Sequence, residues 1–225
     1  MTGGARKRLC LYNINNIFTI LLVFTVQDRR RSLHSGREGL PVLQQMTRAE
    51  AVERLCARYA GWFDIERSEE PDNCLEAVCD FHVHSAKYVL TKKAKLWEAN
   101  SHEYVYLFSM PHLTEALYES CRALAEKRGM EKIVPGPDHM YSYISAVFIC
   151  DVCDPEARRA LRSCRLYRSF RWSYWGWMDF HTALVELPAQ KVWTNGSGRS
   201  AAQMLETTLF HKQAKKFFKR REKNL

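Results

Sequence analysis

From Leu75 onward the spacing of apolar residues changes from the three-to-four step of a helix to a step of two. Ala77, Cys79, Phe81 and Val83 alternate with Val78, Asp80, His82 and His84. Such alternation belongs to a strand with one face on a core and the other on something more polar. A chain built this way is not all helical. The runs Tyr88–Trp97 and Glu103–Phe108 follow after short turns, and the simplest arrangement is three antiparallel strands in a meander.

Helical signals bracket this block. Thr47 and Glu50 spell a capping box, and Val52, Leu55, Cys56, Tyr59 and Phe63 recur at helical spacing, predicting a helix to about Gly61. The polar stretch from Arg67 to Asn73, with Pro71, reads as a loop. Thr114 opens a second helix with Leu117, Cys121 and Leu124 on one face, expected to end at Gly129. After the turn Val134–Asp138 comes an apolar strand, Tyr141–Val152. Asp154, Pro155 and Glu156 supply an N-cap, a first-turn proline and a first-turn acid for a short helix to about Arg165. Strands Leu166–Trp175 and Trp177–Leu187 flank Gly176. Asn195–Arg199 reads as a flexible turn, and Ser200 and Gln203 as the cap of a last helix. The order α-βββ-α-β-α-ββ-α predicts a single α+β domain with a mixed, mostly antiparallel sheet and helices on one or both faces.

Charge helps to place the boundaries. The 225 residues carry a formal +9, but residues 1–45 hold seven Lys/Arg and two Asp/Glu, and residues 212–225 hold seven and one. Residues 46–211 hold 20 and 22, a net of −2. The body is therefore expected to lack a strong nucleic-acid footprint, and no partner is assigned. The basic tail 212–225 is expected at most to touch anionic surfaces weakly.

In residues 1–45, the stretch 9–26 is nearly long enough to span a bilayer, yet Asn13, Asn15 and Asn16 interrupt it. Met46-Thr-Arg-Ala-Glu50 reads like a natural beginning, so the first 45 residues are taken as an extension outside the domain. A membrane anchor through 9–26, or a signal peptide, is the alternative. Eight cysteines in a chain too large to need staples read mostly as reduced thiols, which favours a cytoplasmic location.

Several strings carry possible chemistry. Asp80, His82 and His84 lie two apart on a strand, where a carboxylate and two imidazoles line one face. The string Asp80–Ser85 resembles the first motif of metallo-phosphoesterases of the polymerase-and-histidinol-phosphatase type, over six residues only. Asp179 and His181 repeat the spacing. If the two strands were neighbours, all five residues could hold a divalent metal whose hydroxide attacks an ester. The opening order of elements is also that of restriction-endonuclease-like cores, but Lys93-Ala-Lys95, Glu98 and Glu103-Tyr-Val105 offer no acid-x-Lys. Cys150 and Cys153 have redox spacing without its context, and on a strand they should point to opposite faces. The segment Arg165–Trp177 interleaves cations with aromatics, as a single-strand stacking surface does. Split by period, it reads first as an amphipathic strand with Leu166, Phe170, Trp172 and Tyr174 on its core face. A ligand groove lined by Arg171, Trp175 and Trp177, with Asp179, is the functional alternative.

The blocks Tyr88-Val-Leu-Thr-Lys-Lys-Ala-Lys95, His102-Glu-Tyr-Val105, Asp138-His-Met140, Trp175-Gly-Trp-Met-Asp179 and Ala183-Leu-Val-Glu186 resemble a family of small proteins of clostridia-type Gram-positive bacteria, known only as a domain of unknown function. The resemblance covers about residues 46–205 and implies no activity and no catalytic residues. The leading expectation is a non-enzymatic ligand-binding or accessory domain without a cofactor, using Arg171, Trp175, Trp177 and Asp179. The alternatives are a metal-dependent hydrolase or nuclease using Asp80, His82, His84, Asp179 and His181, and a membrane-tethered domain.

Overall fold

The computed structural model describes residues 46–68, 74–88 and 95–211, with the side chains of all of these except 84–88 and 95–99. These described residues belong to one compact unit. The candidate span 9–26 and the basic tail lie outside the described residues. Among the described residues no helix is long and apolar enough to cross a membrane.

Helix α1 (Arg48–Tyr59) starts where the capping box placed it: Thr47 is extended, and its hydroxyl accepts from the Glu50 amide at 3.2 Å. Strands β1 (Asp64–Arg67), β2 (Leu75–Tyr88) and β3 (Lys95–Leu113) then pair in sequence, each antiparallel to the last. The expected meander is present with different members. Of the segment expected as a middle strand, Tyr88–Trp97, Tyr88 ends β2 and Lys95–Trp97 begin β3, while residues 89–94 lie outside the described residues. A short strand precedes them at Asp64–Arg67, where the sequence is polar because β1 is an edge strand with mostly exposed side chains.

Helix α2 (Glu115–Lys132) carries the chain back, so that β4 (His139–Cys153) lies parallel to β3. Helix α3 (Pro155–Ser163) and the short β5 (Tyr167–Ser169) lead to β6 (Trp177–Glu186), parallel to β4. The outer edge of β6 pairs antiparallel with β5 near its start and with β7 (Lys191–Thr194) near its end. Helix α4 (Arg199–Phe210) closes the domain. The main path of the seven-stranded mixed sheet is β1-β2-β3-β4-β6-β5, with its parallel pairings at the centre.

Both faces are covered. Tyr104, Tyr106, Phe108, Ile144, Phe148, Met178 and Phe180 form one buried cluster with Tyr118, Cys121 and Ala125 of α2 and Ala157 and Leu161 of α3. By alternation, Cys79, Glu103, Val105, Ser145, Val147, His181 and Ala183 point the other way. There Phe63, just beyond α1, meets Phe81 at 5.1 Å between ring centroids, and α1 packs against α4.

Three local expectations are corrected. Helix α2 runs through Gly129 to Lys132, because Gly129 serves close packing instead of termination: a Cβ there would lie 2.7 Å from Ile144 Cδ1. The turn at Asn195 is tightly held. Asn195 is buried, its Oδ1 accepts from Thr182 and Gly198 amides at 3.1 and 2.8 Å, and its Nδ2 donates to the Cys164 and Phe180 carbonyls at 3.1 and 2.9 Å. Cys150 and Cys153 share a thiol hydrogen bond within one cluster, since strand alternation does not hold at the last residue of β4.

Candidate functional site

The five residues proposed around a metal do not converge. Two strands, β3 and β4, separate β2 from β6, a gap of roughly 14 Å at the usual strand spacing. The faces differ as well. Asp80 binds Lys132 of α2 at 2.5 Å, whereas Asp179 and His181 lie on the α1/α4 face. The side chain of His84 lies outside the described ones. His82 Nδ1 instead meets His102 Nδ1 at 2.7 Å, and burial together with His82 and His139 pushes the His102 imidazole down to about 4. Among the described residues no three His, Cys, Asp or Glu are grouped to hold a metal ion.

On the opposite face the parallel strands place a polar row inside the protein. Registers Val105↔Ser145↔His181 and Glu103↔Tyr143↔Asp179 bring three buried polar side chains together. Ser145 donates to Glu103 Oε1 at 3.2 Å and lies 3.5 Å from His181 Nδ1. Burial pushes the Glu103 carboxyl up to about 8, against the pull of the serine, and pushes the His181 imidazole down to about 4. At neutral pH the acid is therefore mostly protonated and the imidazole neutral. Glu103 Oε2 and the buried Tyr59 hydroxyl have no hydrogen-bond partner among the described residues.

Ser145, His181 and Asp179 invite comparison with a hydrolytic triad, but the geometry is that of a core network. The His181–Asp179 separation is 4.0 Å, the serine hydroxyl is committed to Glu103, and Ser145 is only 2% exposed. A nucleophile must reach its substrate, and this hydroxyl is closed off. In a cavity of about 640 Å³ beside the start of α1, lining charges satisfy one another: Arg48 pairs with Asp151, and Arg67 with both oxygens of Glu53.

The residues proposed for ligand contact lie at the start of β6 and in the loop before it. Arg171 stacks its guanidinium over Trp175, 4.8 Å from the ring centroid. Trp177 stacks on Tyr141 at 5.9 Å, on the face that also bears Asp179. The Asp179 carboxyl is raised by burial, with a Ser197 hydrogen bond and the Phe180 amide acting against the shift.

The β5–β6 loop departs most from the sequence expectation. Leu166–Trp175 is not one strand; only Tyr167–Ser169 pairs, and the chain then enters a tight loop. Trp172 and Tyr174, expected on a core face, are 92% and 81% exposed. Arg171, Trp172 and Ser173 have φ of 46°, 57° and 67°, three consecutive non-glycine residues in the left-handed region. Each costs on the order of 1 kcal/mol. The loop is nonetheless held firmly. Phe170 and Trp175 amides donate to Gly176 and Phe170 carbonyls at 2.9 and 3.2 Å, and His139 Nδ1 lies 2.7 Å from the Trp175 carbonyl oxygen. Gly176 itself has φ 74°, and a Cβ there would lie 2.4 Å from the Met140 carbonyl oxygen.

The near-neutral charge of the body conceals a contrast at this rim. Residues 155–175 hold six arginines and one acid, a net of +5, leaving −7 for the rest of 46–211. Arg159, Arg162, Arg165, Arg168 and Arg171 are exposed. Dividing the charge more finely finds this segment from sequence alone. Periodicity does not find the exposure of Trp172 and Tyr174, because a loop breaks the alternation that assigned them to a core.

A family model described as a domain of unknown function, DUF8052, matches residues 47–207, close to the span outlined by the sequence blocks. No curated protein and no solved structure matches the chain.

Proposed function

We propose, for a chain that belongs to the DUF8052 family and so comes with a domain boundary but no activity, that the domain is a non-enzymatic binding module acting through the β5–β6 rim. The observation that carries this reading is the display of Trp172 and Tyr174 in water on a loop with three consecutive strained residues. Folding gains little from an aromatic ring left in water, and backbone strain of this kind concentrates at binding and switch sites. Rigid aromatics on an anchored loop bind at low entropic cost. Arg171, Trp175, Trp177 and Asp179 flank the displayed rings along the chain.

The reading is of a cytoplasmic bacterial protein. Cytoplasmic placement is supported by seven described cysteines, all free thiols. Bacterial origin rests on the sequence resemblance.

Thermal unfolding tests the binding assignment without a ligand. Trp172→Ala with Tyr174→Ala should leave Tm within about 2 °C, and Ser173→Gly should raise it by relieving strain worth about 1 kcal/mol. A fall of more than about 5 °C in the double variant would assign the two rings to the fold and overturn the reading.

A further inference from the structure

The rim carries more than exposed rings. Arg165 lies just before β5, Arg168 on it and Arg171 in the tight loop after it, so three exposed cations follow one another every three residues beside the displayed rings. A flexible single strand can bend to bring its phosphates to cations arranged in this way. Arg168 reaches Glu126 only at 3.7 Å with its side chain 59% exposed, which leaves its guanidinium open to an incoming anion. Arg165 borders a shallow groove of about 260 Å³ that Arg122 also lines. Beyond the cations stand the open faces of Trp172 and Tyr174, with Tyr167 59% exposed on the strand between.

We infer that the Arg165–Trp175 segment binds single-stranded nucleic acid, with Trp172 and Tyr174 stacking on bases and Arg165, Arg168 and Arg171 meeting phosphates. The inference rests on the binding role proposed for this rim and adds the class of ligand. Charge complementarity selects the occupant: the segment carries three arginines and no acid, a net of +3, on a domain whose remainder is −5, so a polyanion is drawn to this rim and repelled by the rest of the domain. Base stacking on exposed aromatics needs an unpaired strand, because the rings of a duplex are buried in their own stack. The narrow left-handed loop presents its rings at a tip, whereas a peptide partner of the usual kind would call for a groove or a long open strand edge.

Fluorescence anisotropy of the full chain with labelled 15-mers of oligo(dT) and oligo(U), titrated across salt, tests the assignment. The basic segments outside the domain are common to all variants, so differences between variants report the rim. Trp172→Ala with Tyr174→Ala should weaken binding at least tenfold while leaving the salt slope unchanged. Gln at Arg165, Arg168 and Arg171 together should lower the magnitude of the slope of log K against log salt by about 2. The inference is overturned if the wild-type chain does not bind, if both variants bind as it does, or if a duplex of equal length competes as well as the single strand. Failure of these titrations with an unchanged Tm in the aromatic variant would leave the rim as a binding site for some other partner, whereas a large Tm loss would remove the binding site itself.

Discussion

His139, the first residue of β4, donates through Nδ1 to the carbonyl oxygen of Trp175, the last residue of the exposed loop, at 2.7 Å. Its Nε2 lies 2.8 Å from the Ser142 hydroxyl, which donates to it. Both ring nitrogens are thus occupied, and the imidazole is a clamp between a core strand and a displayed loop. Replacing His139 with Ala removes both bonds and leaves a buried hydroxyl and a carbonyl in need of partners. The expected loss is about 2 kcal/mol in urea unfolding, accompanied by faster amide exchange across Trp172–Gly176. An unchanged exchange rate there would show that the loop holds its shape without the clamp.

Glu103 gives the fold a pH dependence of unusual sign. Its folded-state pKa is raised to about 8 from an ordinary 4.5, so the folded protein keeps a proton that the unfolded chain releases. Its contribution is fully present below about 4.5 and is lost as pH rises towards 8. His181 and His102, each lowered to about 4, act oppositely: they are neutral when folded, and stability falls as pH drops from 6.5 towards 4. Above 6.5 the Glu103 effect stands largely alone, with a limiting slope near 1.4 kcal/mol per pH unit. Glu103→Gln imitates the protonated acid and can still accept from Ser145. Urea unfolding at pH 6.5, 7.2 and 8 should show wild-type stability falling and the variant's holding. Parallel curves would place the proton elsewhere.

Asn195 joins four backbone groups from three parts of the chain: the Cys164 carbonyl, Phe180 and Thr182 on β6, and Gly198 at the start of α4. Asn195→Ala leaves several of them buried and unpaired and should cost about 3 kcal/mol, a large loss for a loop residue. Asn195→Asp keeps the two accepted bonds but presents oxygen in place of the amide donor to both carbonyls, and should recover little. Chemical denaturation of both variants checks this, and a cost below about 1 kcal/mol would mean that the turn is held by other contacts.

Gly129 is a case where helix propensity points the wrong way. Alanine is the better helix former by about 1 kcal/mol, yet its Cβ would meet Ile144 Cδ1, Cγ1 and Cγ2 at 2.7, 2.8 and 2.9 Å. Gly129→Ala is therefore expected to destabilise by about 2 kcal/mol. Combined with Ile144→Ala, it should cost less than the sum of the two single changes. Additive losses in a double-mutant cycle would remove the clash as the cause.

What the sequence determined by itself was local. The Thr47 cap, the Asp154-Pro155 helix start, the switch to two-residue alternation at Leu75 and the apolar run of β4 are each written in neighbouring residues, and together they specify an α+β domain with helices packed on a sheet. The edge strands β1 and β7 escaped because short, partly exposed strands carry no burial rhythm. Strand order was a matter for the tertiary structure alone. Whether Asp80 and Asp179 share a face and a neighbourhood depends on β3 and β4 coming between them, a consequence of how α2 and α3 carry the chain over one face. The same order made a hydrogen-bonded row of Glu103, Ser145 and His181, whose successive members lie 42 and 36 positions apart along the chain. Trp172 and Tyr174 were settled by backbone geometry: three left-handed residues turn the chain out of the strand register that had assigned both rings to a core, and leave them in water.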